Sequence, residues 1–212
     1  TQTGAIRRYL VQFDVAAAIP PGATIDNVRL DLQVVQVTGA PVAFYTQGVH
    51  RVLESWGEGS SDSTSGGSTG GGQGAPATLN DATWLHRFAP NSFWTLPGGD
   101  FQSAASATGS AGFPGIVSFS SPDMQADVQL WLDQPGDNHG WLLKHIAEGT
   151  TGSAVAVGSR EAIAPVSRPQ LVIDYTPQFS TFCDPSDPNS TGLSTQLMGT
   201  LLPTTSPPRL FV

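Results

Sequence analysis

"IDNVRLDLQVVQV", Ile25 to Val37, sets how the rest of the chain is read. Val28, Leu30, Leu32 and Val34 alternate with Asn27, Arg29, Asp31 and Gln33. Successive side chains of a strand point to opposite faces, so this period of two predicts a half-buried strand. "IPPGAT", Ile19 to Thr24, precedes it with Pro-fixed φ and a Gly22 able to take positive φ, which is the chemistry of a turn. Further upstream, "RYLVQFDV" (Arg8 to Val15) puts Tyr9, Val11, Phe13 and Val15 on one face and Arg8, Gln12 and Asp14 on the other, with Leu10 the exception. A strand over 8–15 is expected.

Downstream, strands are expected near Val42 to Tyr45 and at "VHRVL" (Val49 to Leu53). Shorter ones are expected at Ala82 to Phe88, Gly115 to Ser120, Trp141 to Ile146, Ser153 to Ser159 and Gln170 to Tyr175. Short strands punctuated this regularly indicate an all-β sandwich or barrel. "SPDMQADVQLWLD" breaks the pattern: Ser121 stands at an N-cap, Pro122 at N1, and Met124, Val128, Trp131 and Leu132 share one helical stripe. It predicts a single helix of about three turns, ended by Pro135-Gly136 and covering an open end of the sandwich.

Composition narrows the function. Charged residues make up 12% of the chain, Lys occurs once, at Lys144, and the net charge is −8. Nucleic acid and anionic membranes are recognised by clustered Lys and Arg, so neither is an expected partner. No apolar run approaches the roughly 18 residues of a bilayer span. The single cysteine, Cys183, excludes an internal disulfide framework and a thiolate zinc site. Low Lys with abundant Ser and Thr suits an extracellular location. The start at Thr1, without a charged or apolar leader, reads as a processed or excised segment.

Laid out in order, "RRYLVQFDV" with "IPPGATIDNVRLDL", "HRVLESWGEG", "DATWLHRF", "FWTLPGGDF", "MQADVQLWLDQPGDNHGWLL" and "SREA" with "RPQLVIDY" resemble the DNRLRE-type domains of large secreted bacterial proteins, which are related to carbohydrate-binding modules. The resemblance runs from about Gly4 to Tyr175. It implies a jelly-roll-like antiparallel β-sandwich over 1–176, extracellular and non-catalytic. Such a domain either binds polysaccharide or serves as a structural or adhesive unit. Family members carry a further strand region before the first matching segment and end near "LVIDYTP", whereas residues 177–212 continue as a Pro-, Ser- and Thr-rich stretch. That stretch reads as an extended arm or the start of a further module. An arm filling the vacant strand position of a neighbouring copy would build a filament by strand addition, with Phe179, Phe182, Leu201, Leu202 and Leu210 to Val212 as its apolar contacts.

Within the sandwich, Gly59 to Gly74, "GSSDSTSGGSTGGGQG", is a loop, because strands of the same ordered set flank it. Its "GGSTG" (Gly66 to Gly70) matches a hydrolase nucleophile pattern. That pattern works on a rigid strand-to-helix turn, and here flexible residues flank it, so the match is compositional. His50, His86, His139 and His145 have no zinc-site spacing. The pairs Glu54/Glu58 and Asp133/Asp137 read as turn solvation rather than an acid and base. No cofactor is expected, although hard oxygens from Asp62, Asp81 or Asp137 would suit a structural calcium. The functional lead is aromatic: Trp56, Trp84, Phe93 and Trp94, with His86 as a polar neighbour, are the candidate carbohydrate platform. Trp94, on a Pro- and Gly-rich loop, is expected to be its most exposed member, while Trp131 and Trp141 are expected in the core.

Overall fold

The computed structural model describes residues 6–38, 45–61, 76–149 and 154–178. Its strands are β1 (Tyr9–Val11), β2 (Thr24–Thr38), β3 (Tyr45–Arg51), β4 (His86–Phe88), β5 (Ser92–Phe93), β6 (Ala107–Ala111), β7 (Gly115–Phe119), β8 (Trp141–His145), β9 (Ala154–Val157) and β10 (Gln170–Thr176). Two helices accompany them, α1 (Val15–Ala18) and α2 (Pro122–Asp133). One antiparallel sheet runs β1-β8-β3-β6 and the other β10-β2-β7, while β4 and β5 form a separate hairpin. Val34 faces Gly115 of β7 on one side and Val157 of β9 on the other, so β9 continues the β10 edge of β2. The chain changes sheet between β1 and β2, β2 and β3, β6 and β7, β7 and β8, and β8 and β9. The result is a jelly-roll-like β-sandwich.

Strand β2 is its spine. Val28, Leu30, Leu32 and Val34 are buried while Arg29 lies outside, as the alternation predicts, and Ile25 is buried as well. The three-residue step from Ile25 to Val28 would turn one of them outward in a regular strand. A bulge absorbs it: Asp174 lies opposite Asn27 and Tyr175 opposite Ile25, which leaves Asp26 unopposed. Ile25, Val28, Leu30 and Leu32 join Val49 from β3, Phe119 from β7, Trp141 and Leu143 from β8 and the apolar face of α2 in one core.

Helix α2 matches its expected span. The Ser121 hydroxyl accepts the Met124 N–H at 3.0 Å, and Met124, Val128, Trp131 and Leu132 are buried. Gln129 accepts the Ile25 N–H at 2.8 Å, and Gln125 donates to the Ile25 carbonyl at 2.6 Å, which fastens the helix across the end where β2 starts. A buried charge ties it to the other sheet. Asp127 takes hydrogen bonds from Ser106 (2.6 Å) and the Trp141 indole (2.8 Å) and pairs with Arg51 at 3.1 Å.

Three expectations are corrected. The strand at 8–15 stops at Val11, because Asp14 caps a helical turn by accepting the Ala17 N–H at 3.1 Å; Phe13 and Val15 stay buried. The two strands expected at 42–45 and 49–53 meet in one, β3, with residues 42–44 outside the described residues. Of Ala82 to Phe88, His86–Phe88 pairs as a strand, and Trp84 lies in the turn before it. The unforeseen β6, "ATGSA", lacks the large β-formers that mark a strand, and pairs with β3 nonetheless. The arm residues Phe179, Phe182, Leu201, Leu202 and Leu210 to Val212 lie outside the described residues, as does the "GGSTG" pentapeptide.

Candidate functional site

The segment from Pro76 to Phe101 returns from the Gly- and Ser-rich run and folds over the end of the sheet that carries β3 and β8. Its shape is set by backbone bonds: Thr83 N–H to the His86 carbonyl (2.8 Å), Trp94 N–H to Leu85 (3.0 Å) and Gly98 N–H to Trp84 (2.6 Å). Asp100 closes the following turn by accepting the Thr95 and Leu96 N–H groups at 2.7 and 3.0 Å.

This geometry divides the predicted platform. Trp56 is 8% exposed and donates its indole N–H to the His139 carbonyl at 2.8 Å. Trp94 is 5% exposed and donates to the Thr83 carbonyl at 2.9 Å, so the expectation that it is the most exposed member is wrong. Both pack with Val52 and Leu142 in a second core cluster. Neighbouring residues of an extended chain point to opposite sides, so when Trp94 turns inward Phe93 turns out and is 60% exposed. Trp84 is 41% exposed. His86 lies between them in function: its ring leans on Phe93 at 4.3 Å, and its Nδ1 meets the Thr83 hydroxyl at 3.0 Å. The structure therefore lines one cleft with Trp84, Leu85 and His86, sets exposed Phe93 against the His86 ring, and buries Trp56 and Trp94 in the core. Trp131 and Trp141 are fully buried, as expected.

Sequence reasoning missed the residue that seats Trp84. The Arg8 guanidinium lies 4.8 Å from the Trp84 ring centroid and 5.0 Å from that of Phe101. Glu148 grips it with both oxygens at 2.8 Å, and its Nη1 donates to the Gly98 carbonyl at 2.6 Å. Gly98 is required here: its φ is +96°, and a Cβ would strike both Arg8 Nη1 and the indole. Burial pushes the Glu148 carboxyl up, but the bond and charge of Arg8 outweigh this and hold it below its ordinary value. Arg8 and Trp84 are far apart in the chain, and no linear pattern links them.

Asp81, a calcium candidate, has another use. Its buried carboxylate accepts from the Ser60 N–H and the Thr78 hydroxyl, each at 3.0 Å, and from the Thr78 N–H, joining the two ends of the run between 62 and 75. Burial alone would raise its pKa, yet the bonds from Thr78 and Ser61 lower it. Asp137 is exposed in a 3-10 turn, and Asp62 is outside the described residues. Among the described residues no three His, Cys, Asp or Glu gather to hold a metal ion. Glu54 pairs with Arg87 at 3.7 Å and Glu58 with Arg160 at 2.9 Å. The outer surface chemistry is thus aromatic and apolar, and beside Trp84 it opens into a cleft of about 580 Å³ with Leu79, Thr83, Leu85, His86 and Pro90 in its walls.

No family model, no curated protein and no solved structure matches the chain.

Proposed function

We propose that the chain is a non-catalytic, extracellular β-sandwich module with a structural or adhesive role, which holds polysaccharide against the outer surface of the β4–β5 unit. The observation that carries this reading is the Trp84 ring, part exposed on a rigid seat of Arg8, Glu148 and Gly98 beside an open cleft. A flat indole with an apolar face and fixed orientation stacks on a sugar ring without first losing rotamer freedom. The same surface would serve a carbohydrate-binding module attached to a larger secreted polysaccharide-degrading protein.

Polysaccharide pull-down of the wild type, Trp84→Ala and Phe93→Ala tests the reading. Saturable binding by the wild type that weakens in both variants supports it, and absence of saturable binding in the wild type sinks it.

Assembly by strand addition is supported by one feature of the sheet edge. β1 is three residues long and pairs with β8 alone among the described residues, so its outer side offers backbone groups for another strand.

A further inference from the structure

The cleft beside Trp84 has walls without formal charge: among the described residues, no Lys, Arg, Asp or Glu lines it. Two charged groups stand behind those walls, and both are already engaged. Arg8, behind Trp84, is held by Glu148 and the Gly98 carbonyl. Asp81, behind Thr78, is buried among the loop donors that it clips.

We propose that this cleft is a binding site for an uncharged glycan. The inference rests on the polysaccharide reading above and narrows it to a chemical class.

Three comparisons single out that class. A polyuronate or sulfated polymer needs a cation to pair with; no Lys or Arg among the described residues lines the cleft, and the charge of Arg8 behind Trp84 is already paired with Glu148. Such a polymer would also approach a chain of net charge −8. A cationic amino sugar would be drawn by that net charge, but its contact with the indole is weakened. The Arg8 guanidinium already sits 4.8 Å from the Trp84 centroid and polarises the same π-electrons. An uncharged sugar ring meets neither obstacle. Its C–H face covers the indole, and Leu79, Leu85 and Pro90 exclude water around it. Its hydroxyls find the His86 ring, whose Nδ1 is fixed by Thr83 and whose Nε2 has no protein partner among the described residues.

The experiment is affinity electrophoresis of the full chain in gels containing glucan, mannan, xylan, a polyuronate, a sulfated galactan or chitosan, at low and high salt. The expected result is retardation by at least one of the three uncharged polymers. Salt should leave it unchanged, because no ion pair is screened, and Trp84→Ala should weaken it by about tenfold or more while the chain still unfolds cooperatively at a slightly lowered urea midpoint. Retardation confined to the polyuronate, the sulfated galactan or chitosan would overturn the uncharged class and leave polysaccharide binding standing. Retardation by an uncharged polymer that survives Trp84→Ala would overturn the site. Failure of every polymer to retard the chain would remove both the inference and the reading beneath it.

Discussion

At the scale of single residues, the two tryptophans of this surface separate stability from binding. Trp94→Ala empties a buried site and orphans the Thr83 carbonyl, so a loss of about 3–5 kcal/mol is expected in urea unfolding. Trp84→Ala removes a part-exposed ring and a cation–π contact, so no more than about 1 kcal/mol is expected. Asp127→Ala strands Arg51 and the Trp141 indole N–H inside the fold, for an expected loss of about 3–5 kcal/mol. Titration adds a signature. His50 is buried, with Nδ1 on the Gln102 carbonyl at 2.9 Å and no hydrogen-bond partner for Nε2 among the described residues, and burial lowers its pKa. The unfolded chain therefore protonates first, and stability is lost as pH falls below about 6.5 and on through the folded value. Asp81 and Glu148, with depressed pKa values, contribute stability above the ordinary carboxylate range that is lost as pH falls through their folded values. Burial raises the Asp127 pKa, which works the other way, losing stability as pH rises through its folded value. Urea midpoints measured against pH should fall on acidification, with His50→Gln flattening the upper part of the slope and Asp81→Asn the lower.

At the scale of elements, what could be read from the sequence follows how locally each element is specified. β2 and α2 carry their own periodicity and, for the helix, their own cap, so both were legible in outline. The turn at Val15 was not, because Phe13 and Val15 satisfy a strand pattern while the Asp14 side chain selects a helical turn; both readings bury the same residues. β6 was illegible because pairing with β3, rather than its small residues, makes it a strand. The candidate surface was half legible. Aromatic type flagged Trp84, Phe93 and Trp94, but inward or outward direction depends on the parity of a short hairpin. Arg8 reaches the site only because β1 pairs with β8 and Glu148 follows β8. Exchanging Arg8 for Lys tests that seat: the charge stays while the two-point grip on Glu148 and the planar stack are lost. Polysaccharide affinity should drop several-fold with little change in urea midpoint, since the stack is worth about 0.5–1 kcal/mol.

For the whole molecule, one core joins both sheets and α2 and draws on the described residues before Pro177. Removing Phe179 to Val212 is expected to leave the urea transition in place while abolishing any polymer seen by light scattering. Oligomers unchanged by the deletion would exclude assembly through that stretch. Asp81 has a consequence at this scale. Since one carboxylate pins Ser60 to Thr78 whatever lies between, the stem is closed before the intervening chain contributes anything. The cost of what hangs from such a stem grows only with the logarithm of its length, about 0.6 kcal/mol per doubling. The Asp81 clip is thus a socket: sequence spliced in between Ser61 and Pro76 is expected to leave the urea midpoint of the sandwich nearly where it was.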